Sequence, residues 1–368
     1  MSASPKKPKA VALLSGGLDS TLAILLVKRL GIDVTALTFL THFGCDISDS
    51  SSCSKNPFPA AERFGFTVKL SHLADKFIEI VKNPKFGHGR NMNPCVDCRI
   101  LMLREAGEFM RITGADFIVT GEVLGQRPMS QRRDSFPLID REAGLKGLVL
   151  RPLSAKLLPP TLAEEKGFLD RDKLMDISGR GRKPQMRLAE EFGLTDYPNP
   201  AGGCLLTEPN YSWRLKELLH YNANPSVREL NLLRAGRHFR IGAAKVIAGR
   251  NEAENNLMES LAAPGETLLR AEGCGSPTVL ITEGKSGLVA GLVTGGDAAA
   301  DASGIIRAAA SICARYSDNK DAPPVSVVLE TDGRSRLLTA MPADEAWLAL
   351  HRIQMPEKPG KGKSRITT

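Results

Sequence analysis

The segment Ser15-Gly16-Gly17-Leu18-Asp19-Ser20 stands directly after an apolar run, Ala10–Leu14, and opens a stretch of helical periodicity, Asp19–Leu30, that closes at Gly31. A buried strand that feeds a helix through two glycines leaves few architectures open. Glycine lets the backbone approach an anion closely, and a helix start offers unpaired N–H groups at the positive end of a dipole. The spacing predicts an anion-binding loop on a strand–loop–helix unit. Ser15 and Ser20 add hydroxyl donors, and an acidic Asp19 inside an anion site suits a residue that helps to hold Mg²⁺. The loop has no lysine where a G-x-x-x-x-G-K-[ST] loop would carry one, and Gly16-Gly17 does not fit G-x-G-x-x-G. Stripped of its flanks, the hexapeptide would read as a plain glycine turn.

The same texture continues. Val34–Leu40, Val68–Leu73 and Phe117–Thr120 read as strands, and Ala60–Phe64 and Cys95–Thr113 as helices, with a Gly, Asn and Pro-rich loop over Asn83–Pro94. Strand–helix alternation predicts an α/β fold: a parallel sheet covered on both faces, with ligands in the loops at the carboxyl ends of its strands. The pattern breaks at Tyr197–Gly203 and is followed by a helical stretch, Trp213–Tyr221. Beyond Asn224-Pro225, Phe239–Ile241 and Lys245–Ala248 read as a hairpin around Gly242–Ala244. Glu252–Leu261 reads as a helix, Thr267–Ala271, Thr278–Ile281 and Val325–Leu329 as strands, and the alanine-rich Ala308–Tyr316 as a helix. The expected division is a parallel-sheet domain over 1–215, a smaller α+β domain over 225–345, and a disordered basic tail over 357–368.

Composition narrows the function. Of 368 residues, 42% are hydrophobic and 24% charged, which excludes a fibrous, a wholly disordered or a polytopic membrane chain. The longest apolar stretches, Leu22–Val27 and Leu288–Val293, are too short to span a bilayer, and the basic N-terminus has no apolar core of a secretory signal, so a cytoplasmic protein with no membrane partner is expected. Lysine and arginine number 49 against 41 acidic residues, a net charge of +8 that favours an anionic partner. Aromatics at 5% argue against stacking platforms for single strands.

The seven cysteines are an odd number in a chain without an export signal, which points to metal or redox chemistry or plain burial. In Asn93-Pro94-Cys95-Val96-Asp97-Cys98, Asn93 suits an N-cap and Pro94 the first helical position. Cys95 and Cys98 then share one face of the first turn, where the dipole favours thiolate. Cys204 follows Pro200-Ala201-Gly202-Gly203, whose glycines allow close approach. Three thiolates would leave one iron of a four-iron cluster open. A structural zinc site, a redox disulfide and simple burial stay open beside that reading. Cys45, Cys53, Cys274 and Cys313 read as incidental or core, and His42, His72 and His88 stay unassigned, with His88 worth testing. In the second domain Arg237, Arg240, Arg250 and Asn251 are placed to contact phosphates, against the alternative of a solvated charged surface. Arg127, Arg132, Arg133, Arg180, Arg182 and Lys183 would continue a basic path.

The SGGLDS loop resembles the PP-loop of the ATP pyrophosphatases, which split ATP between its α- and β-phosphates. That resemblance implies ATP binding by Ser15, Gly16, Gly17, Asp19 and Ser20, with the strand Thr35–Leu40, including Thr38, bringing its backbone to the adenine. Asn-Pro-Cys-x-x-Cys and the later Ala-Gly-Gly-Cys are similar to the three-cysteine, [4Fe-4S]-dependent tRNA thiouridine synthases. Other members of that group lack the cluster and use two catalytic cysteines, one carrying a persulfide. Cys95 favours the cluster, with Cys95, Cys98 and Cys204 as ligands; without it Cys98 and Cys204 would be the catalytic pair. Thr120-Gly121-Glu122-Val123-Leu124-Gly125-Gln126, with Ser130-Gln131, resembles T-G-E-x-L-G-Q…S-Q of the tRNA 4-thiouridine synthetases and brings Gly121 to the nucleotide site; Leu150-Arg151-Pro152-Leu153 is a further family-like segment. These matches cover Lys9–Thr207. The chain departs from the 4-thiouridine synthetases in having no THUMP-type extension before the PP-loop, which leaves the target nucleotide open. G-R-N-x-x-E-N at Gly249–Asn255 is similar to the RNA-binding domain of the NFACT proteins, over Arg234–Thr331.

Together these resemblances imply an ATP-dependent tRNA sulfurtransferase: a uridine carbonyl oxygen is adenylated, sulfide attacks the activated carbon and AMP leaves, giving 4-thiouridine or 2-thiouridine. They imply Asp19, Cys98 and Cys204 as catalytic, ATP, Mg²⁺ and a [4Fe-4S] cluster as cofactors, and tRNA and a sulfide or persulfide donor as partners, a homodimer being admitted. Two rivals remain: a PP-loop ligase or sulfur-insertion enzyme for a small molecule, and a non-enzymatic ribosome- or tRNA-binding factor.

Overall fold

The computed structural model describes residues 7–43, 56–197, 204–282 and 297–356. Leu288–Val293, Cys45, Cys53, Ala201–Gly203 and the basic tail lie outside them. The chain divides into two compact units, Met1–Glu208 and Pro209–Thr368.

In the first unit β1 (Lys9–Leu13), β2 (Asp33–Leu40), β3 (Thr67–His72), β4 (Phe117–Thr120) and β5 (Val149–Leu150) form one sheet of order β3-β2-β1-β4-β5, with every pair parallel. β1 and β4 read as continuous apolar runs because they lie inside, covered on both faces. The order reverses at β1, so the crevice between the carboxyl ends of β1 and β4 is the switch point where such sheets bind ligands. Around the sheet run α1 (Leu18–Arg29), α2 (Phe58–Phe64), α3 (Ala74–Lys82), α4 (Cys95–Thr113), α5 (Ser135–Glu142), α6 (Leu162–Glu165) and α7 (Lys183–Glu191). Helix α1 is buried from Leu18 to Val27 except at Asp19, in a core shared with Val119, Leu150, Leu188 and Ala189. Helix α3 was not expected. It buries only Phe77, Ile78 and Val81, a stripe too short to be told from the loop that follows.

The second unit holds α8 (Pro209–Tyr221), α9 (Val227–Leu232), β6 (Arg237–Ile241), β7 (Ala244–Ala248), α10 (Glu252–Leu261), β8 (Thr267–Ala271), β9 (Val279–Thr282), α11 (Asp297–Tyr316), β10 (Val325–Thr331), β11 (Arg334–Ala340) and α12 (Glu345–His351). Its six strands make an antiparallel sheet of order β11-β10-β8-β9-β7-β6. Phe239, Val246, Leu269 and Ile281 pack on one side with Ala309, Ile312 and Cys313 of α11. Ile247 and Leu280, one residue out of phase, pack with Leu232 and Met258. The hairpin at Gly242 stands as expected. Strand β11 was missed: it is mostly exposed, so its sequence carries no buried face to betray it. Among the described residues no helix is long and apolar enough to cross a membrane.

Candidate active site

The loop after β1 is held in shape by its own hydroxyls. Ser20 Oγ donates to the Gly17 carbonyl at 2.9 Å and Thr21 Oγ1 to the same oxygen at 3.0 Å, while the Ser15 N–H donates to Ser20 Oγ at 3.3 Å. Gly16 has φ +69°, a left-handed conformation that favours glycine. Gly17 stands at the cap of α1 with no side-chain cap, so the first N–H groups of the helix point at whatever fills the loop. Asp19 is held from the neighbouring loop, which follows β4: Gln126 Nε2 donates to its Oδ2 at 2.9 Å. Its Oδ1 is buried and, among the described residues, has no hydrogen-bond partner. Gly121 presses on the same turn, because a Cβ there would meet the Ser20 backbone N and Cα at 2.5 Å. Thr38 is wholly buried and donates its hydroxyl to the Leu14 carbonyl at 2.8 Å.

Beneath the β4 loop lies a charged network that sequence reading did not single out. Glu122 is buried, accepts from Arg151 Nε at 3.0 Å and Thr120 Oγ1 at 3.1 Å, and ion-pairs with Arg99 Nε at 3.0 Å. Arg151 grips Asp140 with both terminal nitrogens, at 2.9 and 2.7 Å, and lies 4.0 Å over the Phe136 ring. Burial works against the Arg99 charge, but Glu122 and the sulfurs of Cys98 and Cys95 outweigh it and hold the guanidinium above its ordinary value. The motifs around Glu122 and Arg151 were visible; their pairing was not, because it joins residues far apart in the chain.

Helix α4 spans Cys95–Thr113 as expected, but Pro94 rather than Asn93 stands at its cap position. The Cys95 thiol donates to Ser130 Oγ at 3.4 Å, which ties it to the loop that carries Gln126. Cys204 begins a single turn whose carbonyls receive the segment just before Cys95: the Met92 N–H donates to Leu206 O at 3.1 Å and Asn91 Nδ2 to Thr207 O at 2.7 Å. The three cysteines therefore belong to segments bonded into one neighbourhood. Among the described residues no group of three His, Cys, Asp or Glu side chains is arranged to hold a metal ion. Asp97 is spent on the Lys85 and Phe86 N–H groups at 2.9 and 3.1 Å, which fixes the preceding loop, and His88 Nε2 lies 2.8 Å from the Val81 carbonyl.

In the second unit the expected phosphate contacts also have internal partners. Arg237 lies 4.3 Å over Tyr316; Arg240 donates to Glu217 at 2.6 Å and lies 4.0 Å over Tyr221. Arg250 holds Glu254 at 2.9 Å, and Asn251 caps α10 by accepting the Glu254 N–H at 3.0 Å. Glu254 also accepts from the Gly236 N–H at 3.1 Å, and Asn255 Oδ1 accepts from the Thr278 N–H at 3.0 Å. The Gly249–Asn255 motif is a knot joining β6, β7, α10 and β9. Cys274 is half-buried and Cys313 fully so, with burial pushing the Cys313 thiol up to about 11.

Residues 6–156 match the family described as thiamine biosynthesis protein (ThiI), and residues 236–348 match the NFACT protein RNA binding domain. The tRNA-specific 2-thiouridylase MnmA of Methylobacterium nodulans is 27% identical over 251 residues, which cover 64% of this chain and 62% of that protein. The bifunctional protein NifU/MnmA of Rubrobacter xylanophilus is 30% identical over 176 residues, covering 43% of this chain and 36% of that one. A solved 4-thiouridine synthetase–RNA complex with bound ATP aligns at a TM-score of 0.33 and 19% identity, over 52% of this chain and 54% of that one. The chain spans 62% and 58% of the length of the first two thiouridylases it matches. It joins a PP-loop unit similar to ThiI and MnmA to a separate unit similar to the NFACT RNA-binding domain.

Proposed function

We propose that the chain is an ATP-dependent tRNA thiouridine synthase. The observation that carries this reading is the β4 loop, which touches the PP-loop through Gly121 and Gln126 and the cysteine helix through Ser130. A nucleotide grip and a sulfur-bearing helix thus share one support. In the proposed reaction the N–H groups at the start of α1, with Ser15 and Ser20, hold the ATP phosphates that depart as pyrophosphate. Asp19 Oδ1 is the oxygen available to Mg²⁺ there. The uridine carbonyl oxygen attacks the α-phosphorus, the sulfur nucleophile then adds to the activated carbon, and AMP leaves with the original oxygen. Positioning and charge neutralisation are what such a transfer asks of the protein.

Cys95, Cys98 and Cys204 are the proposed ligands of a [4Fe-4S] cluster. A cluster binds each cysteine at a different iron, so it asks for three thiolates around one hollow rather than three sulfurs around a point. When bound it would present sulfide at its open iron. The half-buried Arg99 cation supports negative charge on this face. Without a cluster, Cys98 and Cys204 would serve as a persulfide and resolving pair. Iron and sulfide counts on anaerobically purified single Cys→Ala chains decide between them; full iron after losing any one of the three rejects the cluster. The tRNA is assigned to the second unit, with Arg237, Arg240, Arg250 and Asn251 as its contacts.

Mass spectrometry of tRNA nucleosides from cells with and without the gene tests the function. Loss of one thiolated nucleoside supports it and names the uridine product. An unchanged nucleoside profile, with pyrophosphate release that needs no tRNA, would replace it with small-molecule chemistry.

A further inference from the structure

Helix α7 packs along α1, the helix that the PP-loop opens. Its last residue, Glu191, pairs with Arg29, the last residue of α1, at 3.7 Å, and Arg29 lies 4.5 Å over the adjoining Phe192 ring. The segment leading into α7 is tied at the other end: the Gly179 N–H donates to the Leu124 carbonyl at 2.7 Å, and Ser178 bridges to Leu124 in parallel. Gly125 and Gln126 come next, and Gln126 holds Asp19. Two helices joined at their C-terminal ends and again ahead of their starts run side by side in the same direction. The start of α7 therefore lies about 12 Å back from Glu191 along the helix axis, on the side of the sheet where the PP-loop lies.

That start carries an unsatisfied group. Arg182 stands at the cap position of this nine-residue helix and gives no side-chain cap. Gln185 is 0% exposed, and among the described residues neither its Nε2 nor its Oε1 has a hydrogen-bond partner. It shares the helix stripe of Leu188 and Ala189, which are buried with α1, and helical side chains lean toward the N-terminus, which carries the amide toward residues 178–182. A buried amide with both ends unpaired is costly in a purely structural role. Arg180 and Lys183 flank this start along the chain, and Arg127 follows Gln126 on the β4 loop; all three are exposed, and among the described residues none of them pairs with a carboxylate. Arg182 is half-buried, 5.9 Å over Tyr197.

We infer that the start of α7, with Gln185 beneath it and Arg127, Arg180 and Lys183 around it, is a backbone-phosphate subsite for the RNA strand that carries the target nucleotide. The inference rests on the tRNA-modifying reading above. RNA fits better than ATP for two reasons. In the proposed reading the nucleotide's phosphates already have Ser15, Ser20 and the start of α1 to hold them, with Asp19 acting through Mg²⁺. The cations here reach solvent from two loops, as a polymer with repeated charges requires. Gln185 acts as a positioning residue, its amide donating into the anion from below.

The test uses the full chain, bulk tRNA and ATP. Arg180→Ala with Lys183→Ala is compared with Arg111→Ala with Lys146→Ala, which removes two exposed charges elsewhere on the same unit. For the first pair, tRNA affinity should fall about tenfold and the slope of log affinity against log salt should shrink by about 0.7 to 0.9 per lost contact. ATP affinity should stay within about twofold. Gln185→Leu should keep the melting temperature and ATP affinity yet weaken tRNA binding. An unchanged salt slope, an equal loss in the control pair, or lost ATP affinity with intact tRNA binding would each overturn the subsite. A wild-type chain that binds no tRNA overturns both the subsite and the proposed function. One whose slope responds as expected but which, with sulfide added and the [4Fe-4S] cluster reconstituted, thiolates nothing supports the subsite and refutes the enzyme.

Discussion

Gly121 leaves no room for a side chain, since the atoms within 2.6 Å of its would-be Cβ are all backbone atoms of Asp19 and Ser20. Backbone cannot step aside as a flexible side chain can, so Gly121→Ala must push the PP-loop away from the β4 loop. Titration with ATP should show affinity lower by about tenfold or more, because a displaced anion cradle loses several aligned N–H donors together. His238 makes a separate test by pH. Burial, and after it the charges of Lys245 and Arg214, hold its imidazole well below the ordinary value, so it is neutral in the folded chain with Nε2–H donating to the Ala235 carbonyl at 2.7 Å. The unfolded chain takes up a proton below about pH 6.5 and the folded chain does not. The stabilisation is complete above that pH and is lost as pH falls, at up to about 1.4 kcal/mol per pH unit. Urea midpoints from pH 7.5 down to 5 should fall accordingly, and His238→Gln should flatten the profile. Of these residues, Gly121 and Asp19 were legible in the sequence, because a glycine loop between strand and helix carries its own chemistry. His238 and the Glu122–Arg151–Asp140 chain were not: their partners arrive from segments that only tertiary packing brings together.

Helix α10 and its lead-in show how a binding motif and a folding motif can share residues. Asn251 was expected to face RNA, and its side chain caps α10. Asn251→Ala should therefore cost about 1 kcal/mol of stability whatever it does to RNA. A lowered urea midpoint with an unchanged slope, together with full tRNA affinity, would assign the residue to the fold alone; a loss of affinity beyond the loss of folded protein would restore its contact. The elements around it were legible because each declares a period: α10 stands over Glu252–Leu261 and β8 over Thr267–Ala271, as the pattern predicts. Strand β11 declares none. Its turn at Asp332 and Gly333, with φ +48° and +73°, is a sharp hairpin signal, but Arg334–Ala340 is a strand made by pairing with β10 rather than by a buried face of its own. Helix α3 was lost for the opposite reason: Phe77, Ile78 and Val81 are one short stripe, and propensity over so few residues does not separate a helix from a loop.

Each unit closes its own core. Leu22, Val119, Leu150 and Leu188 belong to a cluster confined to the first, and Phe239, Val246, Leu269 and Ile312 to one confined to the second. Ligand that binds one folded unit stabilises whatever unfolds together with its site, by about 2.7 kcal/mol at a hundred times its Kd. The proposed nucleotide site lies wholly in the first unit, on β1, α1 and the β4 loop. ATP at that excess should therefore slow amide exchange in β1, α1, β2 and β4 by about a hundredfold, since exchange in a core reports the opening of its own cooperative block. Strands β6 to β10 should exchange at the same rate with and without ATP. Mass-resolved hydrogen exchange on the intact chain reads both sets at once. Protection that spread equally into β6 to β10 would make the two cores one cooperative block, and protection in neither would leave the PP-loop without its nucleotide.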